Sequence, residues 1–199
     1  MENIGLSEKI ISLLNKTLGM QSLAQIIHIC HYVLETEPLG GVIVEFGCYA
    51  GDTAKVITEL TNRPVHVYDS FQGLPDHNGY MQMPKKILIE NFKYDRVKLP
   101  HIHEGWFNEL KPEEVPDQIS FAHLDGDLYE SIKDSLFLVY DKMIKDGIIL
   151  IDDYDHPRFP GVRKAVNEFM INKPEEIRFL NEIPHEVIAI GSKAYIKKL

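Results

Sequence analysis

The feature that most constrains the fold of this chain is an alternation. Short β-branched apolar runs, too brief for helices, are each followed by a glycine- or aspartate-rich break and then by a segment of helical spacing. Val42–Phe46 precedes a helix pattern over Thr53–Leu60, Val65–Tyr68 precedes Lys85–Tyr94, Ile119–Leu124 precedes Leu128–Met143, and Ile148–Ile151 precedes 160–171. A further strand is read at Val97–His103. Strands alternating with helices imply a largely parallel sheet covered on both faces, the α/β class. The tail breaks the pattern, because Ile177–Leu180 and Val187–Ile196 have no helix-length spacer and should pair as an antiparallel edge. Ahead of the first strand come two helical patterns separated by Gly19, one capped by Ser7 and carrying Ile10, Ile11, Leu13 and Leu14, the other over Ser22–Glu35.

With 199 residues the chain is expected to form one domain, residues 1–38 serving as a helical cap segment. Hydrophobic residues at 44% and charged residues at 26% are the balance of a globular protein. No apolar stretch reaches the length of a membrane span, and the first ten residues lack the basic-then-apolar run of a signal peptide. The cytoplasm is the expected compartment, and Cys30 and Cys48 are expected to be free thiols. A formal charge of -9, with no basic stripe to offset it, argues against nucleic acid as a partner.

In open α/β sheets ligands bind beyond the carboxyl ends of the strands, so the residues just after each strand are the informative ones. The first strand runs into V-E-F-G-C-Y-A-G-D-T, where Glu45, Gly47 and Gly51 form a turn that lets backbone approach a ligand closely. The second strand stops at Asp69, about 20 residues beyond that turn, near the spacing of a ribose-binding carboxylate. A lone glycine pair serves equally well to ease packing, but with Asp69 in register the two describe a nucleoside site. The third glycine of a dinucleotide turn is missing, and Glu45 and Asp52 would repel a pyrophosphate. A ligand bearing ribose and a positive charge fits better.

The fourth and fifth strands run into H-L-D-G-D-L-Y-E-S and I-I-L-I-D-D-Y-D, placing Asp125, Asp127, Asp152, Asp153 and Asp155 in two adjacent loops. Crowded carboxylates cannot all ionise without a cation or proton between them, and hard oxygen ligands favour magnesium, calcium or manganese. Asp127 has a competing reading as the cap of the following helix, and Asp155 as a turn residue before Pro157.

Together V-E-F-G-C-Y-A-G, V-Y-D-S-F-Q-G-L-P, H-E-G-W-F, H-L-D-G-D-L-Y-E-S and D-G-I-I-L-I-D-D-Y resemble the macrocin O-methyltransferase family over roughly Gly41 to Phe169, as does the P-G-V-R-K-A-V-N-E-F that follows. The resemblance implies a Rossmann-like class I methyltransferase sheet of seven strands. It also implies an activity: metal-dependent transfer of a methyl group from S-adenosylmethionine to a sugar hydroxyl. Carried over, Glu45, Gly47 and Gly51 would line the methionine part of the donor, Asp69 would hold the ribose hydroxyls with Ser70 beside it, and Gly105 and Trp106 would form the adenine side. Thr53 is counted with the donor-binding residues. Asp125, Asp152 and Asp153 would be the magnesium ligands, and Asp125, also counted at the donor, or His123 would take the substrate proton. For His123 the alternative is a packed side chain on an alternating strand. The expected partner is a small-molecule hydroxyl acceptor, with no nucleic acid and no membrane; self-association into a homo-oligomer is left open.

Other readings compete. Tyr129 and Lys133, one helical turn apart, resemble the catalytic pair of short-chain oxidoreductases that use NAD(P), yet they follow the fourth strand instead of the fifth. A non-catalytic subunit that merely binds S-adenosylmethionine would not need the metal cluster. His28, Cys30 and His31, and His101 with His103, lack the spacing of a zinc site. Phe71, Trp106 and Phe107 could stack on adenine or pack in the core.

Overall fold

The computed structural model describes residues 21–75, 77–180 and 193–199. Seven strands form one sheet: β1 (Val42–Phe46), β2 (Val65–Asp69), β3 (His101–Glu104), β4 (Ile119–Leu124), β5 (Met143–Ile151), β6 (Ile177–Leu180) and β7 (Lys193–Lys197). Their order is β3-β2-β1-β4-β5-β7-β6. The first five pair in parallel, and β7 runs antiparallel to both β5 and β6. The alternation read from the sequence thus becomes a largely parallel sheet with an antiparallel edge.

Alternate strand residues enter two separate cores. Val44, Phe46, Leu124 and Ile149 pack beneath α4 (Tyr129–Val139) and α5 (Pro160–Phe169). Ile43, Val67, Phe121 and Leu150 face α1 (Leu23–Glu35), α2 (Asp52–Leu60) and α3 (Lys85–Asp95). Burial on both faces is why the central strands read as unbroken apolar runs. At the start of α1, Ser22 and Gln25 make a reciprocal capping box, each side chain accepting the other's backbone N–H. The cap fixes where the helix begins, and so where Gln21 and Gln25 project.

Several boundaries differ from the sequence reading. β3 begins at His101 and not at Val97, because Arg96 turns left-handed (φ 59°) and the Val97 N–H closes the end of α3 on the Phe92 carbonyl, 3.0 Å away. Pro100, which has no N–H to give a ladder, separates that cap from the strand. α4 stops at Val139, and a 3-10 turn over Tyr140–Lys142 leads directly into β5, which therefore starts five residues before Ile148. α5 ends at Phe169. β7 is described only from Lys193, and the helix expected after Ser7 lies outside the described residues. No helix among the described residues is long and apolar enough to cross a membrane.

Candidate active site

A cavity of about 950 Å³ opens at the carboxyl edge of the sheet, near the upper end of the usual range for small-molecule sites. Loops following β1, β2, β3, β4 and β5 line it, and the start of α1 closes one side. Gly47 lines it in a left-handed conformation (φ 86°), where a Cβ atom would fall 2.0 Å from the Asp125 carbonyl oxygen. Only glycine lets the exits of β1 and β4 approach so closely.

On the β1–β2 side, Asp69 is held by backbone donors. Its Oδ2 accepts the N–H groups of Cys48 (2.9 Å) and Tyr49 (3.0 Å), and its Oδ1 accepts that of Phe71 (2.7 Å). The carboxylate is thereby fixed in the cavity wall, with one lone pair to spare, on Oδ1, for a hydroxyl donor. Ser70, Thr53 and Trp106 line the same part. Phe107 also reaches the cavity, although its ring packs edge-on against Phe46 at 5.2 Å. Phe71 is buried in the core beneath α3.

The β4–β5 side is different. Asp125, Asp127 and Asp153 line the cavity and present carboxylate oxygens within 4.8 Å of one another. Burial and the neighbouring Asp152 and Asp127 charges push Asp125 well above the usual carboxylate range. Burial and Asp152 likewise raise Asp127 to about 6, and burial with Asp152 and Asp127 raises Asp153 to about 8. A set of oxygen donors with uncompensated charge suits a magnesium, manganese or calcium ion. Asp127 does not cap α4: Leu128 is the cap residue, with no side-chain bond, and Asp127 itself is left-handed (φ 59°), with a carboxylate oxygen within 4.8 Å of one from Asp153. Asp155, by contrast, is tied on the surface to Arg163 at 2.9 Å.

Asp152 belongs to a second group, with Asp125 and His123, whose ligand atoms also lie within 4.8 Å of one another. Its fully buried carboxylate meets Lys193 Nζ at 2.5 Å, Gln21 Nε2 at 2.7 Å and the Asp153 N–H at 2.9 Å. Burial opposes its charge, but Lys193, His123 and the hydrogen bond from Gln21 outweigh burial and hold its pKa at about 2. His123 is likewise fully buried and outside the cavity wall, its Nδ1 3.0 Å from Glu45 Oε1. Its Nε2 and Glu45 Oε2 find no hydrogen-bond partner among the described residues. Two glycines and a glutamate expected at the donor also stand elsewhere. Glu45 is sealed behind the wall, burial raising its pKa; Gly51 starts α2, where a Cβ would press on Leu88 and Phe92 at 2.9 Å; Gly105 lies outside the lining.

Sequence reasoning did not single out Gln21, Gln25, Lys193 or His156. His156 borders the cavity, buried to 6% exposure, and its Nδ1 accepts the Arg158 N–H at 3.0 Å. That bond leaves the proton of the neutral ring on Nε2. Its place three residues beyond Asp153 was the available signal. Tyr129 and Lys133 do not reach the cavity; the Tyr129 hydroxyl donates to Glu168 at 2.5 Å. Neither group of histidines set aside earlier gathers into a metal-binding cluster among the described residues.

The family model for macrocin O-methyltransferases matches residues 12–185. Among curated relatives, an 8-demethyl-8-(2,3-dimethoxy-alpha-L-rhamnosyl)-tetracenomycin-C 4'-O-methyltransferase of Streptomyces olivaceus is 30% identical over 69% of the chain. A demethyldecarbamoylnovobiocin O-methyltransferase of Streptomyces niveus is 29% identical over 65% of it. The matches span 62% and 58% of those proteins, so the chain covers less than two thirds of their length. Among solved structures, the O-methyltransferase NovP superposes with a TM-score of 0.76 at 22% identity, covering 90% of this chain and 81% of that one. The calicheamicin methyltransferase CalS11 gives 0.68 at 20% identity, covering 96% and 91%. The likeness to these two structures establishes the class I methyltransferase fold.

Proposed function

The chain belongs to the macrocin O-methyltransferase family, and on that footing we propose that it moves a methyl group from S-adenosylmethionine to a hydroxyl of a sugar or glycosylated natural product, with help from a divalent cation. The observation that carries this reading is the division of one cavity between Asp69, anchored by backbone N–H groups, and the uncompensated group Asp125, Asp127 and Asp153. The first half is built to accept a hydroxyl hydrogen and the second to accept a cation or protons.

Asp69 would accept from a ribose hydroxyl of the donor, Gly47 would let backbone lie against its amino-acid end, and Trp106 would cover the adenine. Asp125 and Asp153 would hold the cation, which when bound supplies positive charge that acidifies chelated hydroxyls. A neutral alcohol is a weak nucleophile, so a carboxylate must take its proton as the new O–CH3 bond forms and the sulfonium C–S bond breaks. Asp125 and Asp127 border the cavity and can serve as that acceptor, whereas His123 is walled off. The cavity volume leaves room for an acceptor beside the donor.

Two measurements test the proposal. Calorimetry should show binding of S-adenosylmethionine and its demethylated product, and no binding of NADPH. Transfer of labelled methyl to a panel of glycosides with vicinal diols should require magnesium or manganese. Absence of donor binding would remove the nucleoside half of the reading; donor binding without cation-stimulated transfer to any diol would remove the other half.

A further inference from the structure

The loop after β5 brings a preset hydrogen-bond donor to the cavity. His156 lines the wall with 6% of its surface exposed, and its own backbone N–H donates to the Asp153 carbonyl at 3.1 Å. The ring is held from two sides. Its Nδ1 accepts the Arg158 backbone N–H at 3.0 Å, and the Phe159 ring, also in the wall, lies 5.1 Å away between centroids. Because Nδ1 accepts, the ring hydrogen sits on Nε2, and that atom can only donate. Nε2 meets no acceptor among the described residues and is not one of the enclosed atoms left without a partner, so its N–H opens to the cavity the ring lines.

The rest of that side has the opposite character. Asp125, Asp127 and Asp153, with Glu130 and Asp134 from the first two turns of α4, line the cavity with carboxyl groups, which once ionised only accept. The hydroxyls of a sugar satisfy such a wall. Its ring and glycosidic oxygens do not, since they carry no hydrogen and lose their bonds to water unless a donor meets them. Arg158 lines the cavity too, but it is exposed, whereas His156 is buried and fixed in advance.

We propose that His156 is a specificity-determining residue for the acceptor, its Nε2–H hydrogen-bonding an ether oxygen, ring or glycosidic, of the sugar that carries the reacting hydroxyl. The inference rests on the methyl-transfer reading above and deepens it, because it names what separates a glycoside from any other vicinal diol in this cavity. A donor fixed before the acceptor arrives loses little freedom on binding, and it orients the sugar without taking part in the bond changes. Its effect therefore falls on acceptor binding more than on turnover.

The test compares His156→Phe with His156→Gln in the intact chain, with magnesium, S-adenosylmethionine and a glycoside that the parent methylates. Both variants lose the Nδ1 bond to Arg158, and only glutamine keeps an N–H near the place of Nε2. His156→Phe should raise KM for the glycoside by about tenfold with kcat within about threefold, and His156→Gln should recover most of that loss. The Ki of cyclohexane-1,2-diol, a vicinal diol with no ether oxygen, should stay within about twofold in both variants, as should S-adenosylhomocysteine affinity. An unchanged KM in His156→Phe, a glutamine variant no better than phenylalanine, or equal weakening of glycoside and diol overturns the assignment and leaves the methyl-transfer reading intact. Failure of the parent to methylate any glycoside overturns that reading and this one with it.

Discussion

The two halves of the cavity hold the same chemical group in opposite states. On the β1–β2 side one carboxylate, Asp69, receives three backbone N–H groups at 2.7–3.0 Å. On the β4–β5 side Asp125, Asp127 and Asp153 face one another without such donors, and burial with the nearby Asp152 charge raises the pKa of each. A carboxylate fixed by its own backbone is ready for a neutral ligand, whereas a crowded set stays incomplete until a cation or protons arrive. The difference teaches that acidity at a strand end has no single meaning; the local donors decide it.

The contrast breaks most visibly at Asp153. Asp153→Ala is expected to lower methyl transfer by roughly a hundredfold or more while leaving S-adenosylhomocysteine affinity nearly unchanged, as kinetics and calorimetry on one preparation would reveal. Asp69→Ala should do the converse, weakening donor binding by about tenfold or more and also loosening the Cys48–Tyr49 turn that the carboxylate ties down. If the two variants exchanged phenotypes, the division of the cavity would be misassigned.

A smaller effect comes from pH. Asp153 and Asp127 titrate near 8 and 6 in the folded chain, against an unfolded value of about 3.9. The folded state therefore binds more protons between about pH 4 and 8, so this cluster costs stability increasingly as pH rises through that window. A divalent ion relieves the repulsion only where the carboxylates are ionised. Thermal melts should accordingly show a larger stabilisation by Mg2+ at pH 8 than at pH 5.5; an equal or inverted shift would contradict the picture of an uncompensated cluster. The smallest effect is expected at Tyr129→Phe, which should change methyl transfer by less than about twofold, because this tyrosine bonds Glu168 outside the cavity.

Much of this was legible in sequence, and the reason is local. β1 and β4 are buried on both faces, so their apolar runs admit no other reading, and Asp69, Asp125 and Asp153 follow strands whose ends were easy to place. Val97 misled because its side chain is buried like a strand residue while its N–H closes a helix. Asp127 was ambiguous because aspartate before a helix serves as a cap or as a ligand, and only its left-handed backbone and its closeness to Asp153, within 4.8 Å, decide. Lys193 and Gln21 were beyond reach: they are 172 positions apart, and the pairing of β7 with β5 brings the lysine to Asp152. His123 and Glu45 looked like site residues by position, yet strand alternation turns both inward, where they answer each other.

The close approach at Gly47 has a mechanical consequence. The backbone there lies so near the Asp125 carbonyl that no side chain fits between the two halves of the cavity. On the proposed reading, a donor settling against the turn after β1 would press through main chain alone, with no intervening side chain, on the loop that carries Asp125.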